Sequence, residues 1–432
     1  VEIMTSIYHV PVVHFRACAT LTNTAPTRPY RSSGRPEAMF VMERLIDLAA
    51  RQCGFDRIEL RRRNLVSEAA MPYRNPFGLE YDSGAYHQVM ERVLALGDWV
   101  GFPARRSEAR RRGMYRGIGV ANYVDTATGV PREHAEITVQ PEGVVEVVIG
   151  TVSSGQGHET SFAQLVSEWL GVPHDSVVLV QGDTDRVSVG GGSHSGRALR
   201  LGSIVMLGAS NEIIAKGIRI ASHELEAAVA DLEFTGGRFV VKGTDRSIGI
   251  FEVAAVARQR DDLPDDLCKL DGVGDETVNL AAYPYGCHVC EVEVDPDTGA
   301  VEIARYAAVD DVGRAVNPMI VHGQVHGGIV HGIGQALLEQ VWYDHDSGQL
   351  LSGSLMDYAI ARADEVPSFA TELSEVPSPT HPLGIRPAGE GGTTPALAAV
   401  VNAVVDALSE FGVTHLEMPL TTERVWCAIH AE

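Results

Sequence analysis

The sequence predicts an α+β fold, mixed sheets with helices packed on them, and three observations predict it. Alternating apolar residues mark strands on either side of two tight turns, Pro141-Glu142-Gly143 and the run from Asp295 to Gly299. Three glycine-rich loops each lead directly into a segment of helical periodicity. Hydrophobic residues make up 45% of the 432, with 44 glycines and 21 prolines, which fits a large core crossed by many turns. At ~150 residues per domain the length suggests about three units or two large ones.

In chain order, Tyr8 to Phe15 reads as a strand, and strand texture continues to Thr24. A polar turn then leads to a helix that begins at Pro36 and Glu37, carries Phe40, Val41, Leu45, Leu48 and Ala49 on one face, and stops at Gly54. A short helix from Asp56 to Leu65, a turn-rich stretch from Pro72 to Gly84 and an amphipathic helix from Ala85 to Leu96 follow. Asp98 to Gly113 reads as a basic linker. Strands Ala135–Gln140 and Val144–Ile149 flank the first turn, and the loop Ser153–Thr160 opens a helix running from about Ser161 to Leu170. Strand Val177–Gln181 enters the second loop, Gly190–Arg197, before a long helix from Ala198 to about Ala230. Strands Val289–Val294 and Val301–Val309 precede a helix from Ile320 to Glu339, and the third loop, Pro387–Thr394, opens a helix from Pro395 to Leu408. Helix N-termini present free N–H groups and the positive end of a dipole, so three such loops suit an anionic ligand.

A net charge of −22 opposes general binding to nucleic acid or anionic membrane. The six arginines between Arg105 and Arg116 are the main exception, and they read as a solvated helix face. Six cysteines in so long a chain form no disulfide framework, which leads us to expect a reducing, cytoplasmic setting. No signal peptide or transmembrane stretch is evident.

Each chemical motif also has a plainer reading. His322 and His326 stand four apart and His331 follows, which suits zinc, but no glutamate lies between the histidines as a zinc-hydrolase helix would require. Cys287 and Cys290 have no second pair to complete a metal site and read as packed thiols. The loop Gly155-Gln156-Gly157-His158 lacks the Gly-Lys-Ser/Thr of a phosphate loop. Glu390, set between Gly389 and Gly391 just before a helix, is either a loop glutamate or a general base in a closely approached pocket.

Five segments stand in one order: Thr22–Ala38 (TNTAPTRPYRSSGRPEA), Gly155–Thr160 (GQGHET), Gly190–Gly202 (GGGSHSGRALRLG), Glu291–Glu339 and Gly389–Leu408 (GEGGTTPALAAVVNAVVDAL). Together they resemble the xanthine dehydrogenase/aldehyde oxidase family, specifically the molybdenum-cofactor-binding large subunit of the carbon monoxide dehydrogenase-like branch. The resemblance spans nearly the whole chain and implies the C-terminal molybdopterin-binding region of such a subunit. Residues 1–70 would then end a first molybdopterin-binding domain, 71–115 would be a linker with a helix, and 116–432 a second such domain.

The resemblance implies a molybdenum hydroxylase that adds water-derived oxygen to an aldehyde or N-heterocyclic carbon, with Glu390 as base and Arg31 facing the substrate. It assigns Gln156, Gly157, His158, Ser193, Ser195, Gly196 and Gln324 to a molybdopterin cytosine dinucleotide, and no side chain to the metal itself. The chain has Ser32 where carbon monoxide dehydrogenases carry cysteine, and Ser33 where xanthine-type enzymes carry phenylalanine, which tells against CO and purines. Without iron–sulfur or flavin motifs, electrons are expected to leave through an iron–sulfur subunit and an FAD subunit. The N-terminal half of the large subunit is a further expected partner, the whole being a dimer of heterotrimers in which the isolated chain is inactive. The alternatives are a cofactor-free fragment or assembly module and a zinc hydrolase built on the histidine run.

Overall fold

The computed structural model of the protein describes residues 2–431. The chain runs through α1 (Arg35–Cys53), α2 (Arg57–Asn64), the short strands β1 (Tyr73–Arg74) and β2 (Glu80–Tyr81), α3 (Tyr86–Leu96), α4 (Phe102–Arg111) and β3 (Tyr115–Val124). It continues with β4 (Arg132–Gln140), β5 (Val144–Ile149), α5 (His158–Leu170), β6 (Val177–Val180), α6 (Arg197–Glu224), β7 (Leu232–Thr235), β8 (Arg238–Val241), β9 (Ser247–Gly249), α7 (Ile250–Gln259) and β10 (Asp271–Thr277). It closes with β11 (Tyr285–Val294), β12 (Val301–Asp311), α8 (Pro318–Leu337), β13 (Ala370–Ser374), α9 (Thr393–Ala407) and α10 (Thr422–His430). Packing divides it into two units: one takes the chain up to Thr126 and resumes at Ala282, and the other is Ala127–Ala281. The division expected after residues 70 and 115 follows chain order, whereas these units follow packing, and the first is discontinuous in sequence.

In the first unit the sheet order is β13-β12-β11-β3, with β13 parallel to β12 and the other neighbours antiparallel. β11 is buried along its whole length, as a central strand covered on both faces should be. One cover is α9, a run of small apolar residues with 14 of its 15 positions buried. The helix sits close because β3 presents Gly117 and Gly119, two apart and so on one face of the strand. A Cβ on either would lie 2.0 or 2.1 Å from the carbonyl oxygen of Ala403 or Ala399. Beside this seam, Arg61 of α2 is fully buried between two carboxylates of α1, with Nε 2.8 Å from Glu43 and NH1 2.6 Å from Asp47. Tyr8 donates to the same Glu43. Burial of these charges is tolerable because each is paired and hydrogen-bonded.

The second unit uses the same device on a sheet of order β10-β4-β5-β6, with β6 parallel to β5. Here β10 presents Gly272 and Gly274, and a Cβ on either would fall 2.1 or 1.9 Å from the carbonyl oxygen of Ala209 or Val205 of α6. α6 and the stretch Thr393–Phe411 are long and apolar enough to cross a membrane by composition. Each is instead a helix laid on a sheet. A small sheet, β7-β8-β9, completes the unit.

Three expectations need correction. Tyr8–Phe15 is not a strand: only Tyr8 makes a bridge, to Leu65, and residues 14–29 are exposed. Strand propensity yields a strand only where a neighbouring chain takes up the hydrogen bonds. Asp98–Gly113 is not a linker but contains α4, whose arginines meet carboxylates of the same unit, Arg105 at Glu291, Arg106 at Asp406, Arg110 at Glu410 and Arg112 at Glu293. The long helix of the second unit ends at Glu224, and residues soon after it form β7. The paired cysteines behave as packed thiols: Cys287 and Cys290 are fully buried, free, and pushed up in pKa by burial.

Candidate active site

Within the first unit, the loop ahead of α1 turns sharply through three left-handed residues, Ser32 (φ 76°), Ser33 (φ 41°) and Gly34 (φ 84°). Serines in this region are strained; Ser33 is held within its own turn by donating to the Tyr30 carbonyl, and Ser32 by Glu390 and the first turn of α9. The Ser32 N–H donates to Glu390 Oε1 at 3.1 Å, and its hydroxyl is 2.7 Å from Thr394 Oγ1. Arg31 reaches the same loop, donating from Nε to the Gly389 carbonyl (2.6 Å) and from NH2 to the carbonyl and side-chain oxygens of Gln324, both at 3.0 Å. Burial lowers the Arg31 pKa, while the charge of Glu390 opposes that shift. The structure therefore brings Arg31, Gln324 and Glu390 together across more than 350 residues of sequence.

The Glu390 carboxylate is mostly buried, and the residues after it are glycines for a steric reason. A Cβ at Gly391 would lie 2.5 Å from the Tyr123 hydroxyl, and one at Gly392 2.3 Å from the Val325 carbonyl oxygen. Close approach of β3 and α8 thus fixes the peptide that carries the carboxylate. Sequence reasoning missed two residues at this site. Arg35 places NH1 3.5 Å from Glu390 Oε2 and Nε 2.7 Å from Asp125 Oδ1, so one guanidinium stands between two carboxylates. Burial pushes the Asp125 carboxyl up to about 7; Arg35 lowers it and Glu390 raises it further. Arg35 lay in the quoted motif, four residues beyond Arg31, whereas Asp125 carried no signal.

The histidine run is engaged otherwise. His322 Nδ1 and His326 Nε2 both lie within hydrogen-bond reach of Thr371 Oγ1, at 2.8 and 3.2 Å, and the His331 ring faces Tyr30 at 5.4 Å. Among the described residues no group of three His, Cys, Asp or Glu side chains is arranged to share a metal.

The remaining candidates lie in the second unit. Gln156 folds back on its own loop, with Oε1 accepting from the Ser154 N–H at 2.5 Å and Nε2 donating to the Val152 carbonyl at 3.3 Å. Ser193 donates to that same carbonyl at 2.7 Å, which ties the second loop to the first. Gly157 caps α5 and Gly196 caps α6, both left-handed, and the Arg197 N–H that begins α6 donates to the His194 carbonyl at 3.0 Å. Ser195, also left-handed (φ 48°), precedes the second cap. Arg197, 1% exposed, holds this loop by donating to the carbonyls of Val130, Gly192 and Arg132. His158 is the first residue of α5, buried and stacked on Phe162, and its Nδ1 has no partner. Burial pushes its pKa down to about 4, so it is neutral near pH 7. A buried ring nitrogen without a partner, beside glycine-capped helix starts, fits an oxygen-rich anionic group such as a pterin phosphate.

A mixed α+β fold with glycine loops at helix starts and a glycine-framed glutamate suits a cofactor-binding domain, and comparison with known proteins identifies which. Residues 92–367 and 1–65 each match a family described as molybdopterin cofactor-binding domain. The chain belongs to this family, as molybdopterin-binding domains of the xanthine dehydrogenase type. It is 34% identical to the carbon monoxide dehydrogenase large chain of Hydrogenophaga pseudoflava over 98% of its own length and 55% of that protein's. It is 33% identical to the nicotine 6-hydroxylase large subunit of Paenarthrobacter nicotinovorans, over 98% of this chain and 53% of the relative. Quinoline 2-oxidoreductase from Pseudomonas putida 86 superposes with a TM-score of 0.92 at 35% identity, covering 100% of this chain and 56% of that one. The chain thus spans about half the length of the relatives it matches.

Proposed function

We propose that the protein acts in a molybdenum-dependent hydroxylase that adds water-derived oxygen to an aldehyde or N-heterocyclic carbon, with Glu390 as general base. The observation that carries this reading is the carboxylate of Glu390 held by the Ser32 N–H and Arg35, on a loop that Arg31 ties to Gln324. When bound, the molybdopterin group supplies oxygen-transfer and two-electron redox chemistry. Glu390 takes up the proton released as the oxygen is added to the substrate carbon, and Arg31 orients the substrate's polar atom from the loop ahead of α1. Gln156, Gly157, His158, Ser193, Ser195 and Gly196 would hold the cofactor's anionic end, with Gln324 at its pterin. The cytosine dinucleotide form fits the resemblance to the carbon monoxide dehydrogenase branch.

The Ser32 hydroxyl is engaged with Thr394 and offers no thiol, which favours an aldehyde or N-heterocycle over CO. The electrons would pass to iron–sulfur and FAD subunits. The further parts of this proposal are an N-terminal large-subunit half, a dimer of heterotrimers and a cytoplasmic setting. The test is Glu390→Gln in the complete enzyme, expected to lower turnover by at least ~10²-fold with molybdenum content retained, because glutamine keeps an acceptor but takes no proton. Near-normal turnover in a molybdenum-loaded variant overturns the assignment. Loss of metal together with turnover makes Glu390 structural instead.

A further inference from the structure

Glu390 depends on a second residue for its place. Its two oxygens are separately held, Oε1 by the Ser32 N–H at 3.1 Å and Oε2 by Arg35 NH1 at 3.5 Å. Arg35 is itself tied down: its side chain is 9% exposed, Nε pairs with Asp125 Oδ1 at 2.7 Å, NH1 donates to the Ser32 carbonyl at 3.0 Å, and NH2 donates to the Thr126 carbonyl. One guanidinium therefore joins the start of α1, the end of β3 and the loop carrying Glu390.

The distances rank these partners. Arg35 is committed to Asp125 at contact distance and stands farther from Glu390. Sharing the cation between two carboxylates keeps the geometry while most of the contact falls to Asp125.

We propose that Arg35 is the positioning residue for Glu390, and that Asp125 anchors Arg35 and shares its charge, so that the base is fixed in place. The proposal rests on the reading of Glu390 as base. Burial pushes the Asp125 carboxyl up to about 7 despite the adjacent guanidinium, with Glu390 contributing to the rise, as expected where two carboxylates compete for one cation. The other groups facing Glu390 are Arg31 from the preceding loop, Gln324 of α8, and Tyr123 beneath Gly391, whose hydroxyl donates to Asp310. Arg31 is engaged by the Gly389 and Gln324 carbonyls, so Arg35 is the cation that contacts the Glu390 carboxylate directly.

The experiment compares Arg35→Met, Arg35→Lys and Asp125→Asn with Glu390→Gln in the complete enzyme. Two readouts are taken: the acid limb of kcat/KM against pH, and titration of the Glu390 carboxyl stretch by isotope-edited infrared difference against Glu390→Gln in cofactor-depleted protein. Arg35→Met should move both up by about one pH unit, the low end of what a neighbouring opposite charge contributes. It should also lower kcat by about 10- to 100-fold, the scale of a misplaced reacting group. Arg35→Lys should recover part of both. Asp125→Asn, which keeps an acceptor for Nε, should move both readouts in the opposite direction and by less.

Unchanged titration in Arg35→Met, or shifts of the same sign in Arg35→Met and Asp125→Asn, overturns the proposal. If Arg35→Met does not fold, Arg35→Lys and Asp125→Asn carry the same test. If Glu390→Gln is active, the base reading fails. If it is inactive while the Arg35 and Asp125 variants titrate normally, only the present inference fails.

Discussion

The two units share a packing device and differ in what they place at their functional loops. In each, a strand offers two glycines on one face and a helix rests on them through carbonyls four residues apart, Ala399 and Ala403 in the first unit, Val205 and Ala209 in the second. Above that common base, the first unit gathers charged groups with defined partners: Arg35 pairs with Glu390 and Asp125, and Arg31 is held by Gly389 and Gln324. The second presents backbone N–H groups and a neutral, partly unsatisfied histidine. A site that handles protons needs titratable groups with defined partners, whereas a site that receives an anion needs donors left free.

The comparison breaks most visibly if the shared device is not shared energetically. Gly119→Ala and Gly274→Ala should each destabilise the protein by about 3 kcal/mol or more, since a backbone carbonyl lies where the methyl must go and overpacking forces the helix outward. Denaturant unfolding measures this. A large cost at one position and none at the other would show that only one unit depends on the seam.

Next in size is an effect confined to the first unit's site. Gly391→Ala would press a methyl against the Tyr123 hydroxyl and displace the Glu390 peptide, so turnover should fall by about tenfold or more while metal content and unfolding midpoint change little. His158→Phe supplies the contrast, because it keeps the stack on Phe162 but removes the ring nitrogens. Cofactor content measured after dialysis should decline while any bound fraction keeps its turnover per molybdenum. Equal losses of turnover per molybdenum in the two variants would erase the distinction between a proton-handling and an anion-holding site.

Proton linkage sharpens the comparison at smaller amplitude, because the units carry opposite signs. The Asp125 carboxyl rises from 3.8 to about 7 in the folded protein, so its stabilising contribution is present below 3.8 and is lost as pH rises through about 7. His158 falls from 6.5 to about 4, so its contribution is present above 6.5 and is lost as pH falls through about 4. In stability measured against pH, Asp125→Asn should flatten the loss on the alkaline side of this window and His158→Phe the loss on the acid side. Identical profiles for both variants and the parent would deny either group a role in linkage. The smallest effect belongs to the surface. Arg110→Ala removes an exposed pair with Glu410 and should change stability by less than about 1 kcal/mol in a thermal melt.

The sequence by itself determined the α+β class, seven of the helices (α1, α2, α3, α5, α6, α8 and α9) in outline and the three glycine loops, because these follow from local periodicity and turn chemistry. α1, α3, α5, α8 and α9 begin and end close to where their caps and apolar spacing placed them. It also singled out Glu390 and Arg31 as chemical candidates, through a motif whose glycines and arginine are contiguous in the chain.

Local pattern could not determine which segments found partners. Tyr8–Phe15 has strand composition, yet a strand exists only where another segment completes its hydrogen bonds, and this pairing ends at His9, whose N–H donates to the Asn64 carbonyl. The arginines of α4 looked like a solvated face, and the carboxylates that neutralise several of them stand some 180 to 300 residues away. The arrangement of Asp125, Arg35 and Glu390 is a tertiary fact for the same reason. Its members come from the end of a strand, the first turn of a helix and a loop whose glutamate lies 355 residues beyond Arg35, and only closure of the sheet against α1 and α9 brings their charges within reach of one another.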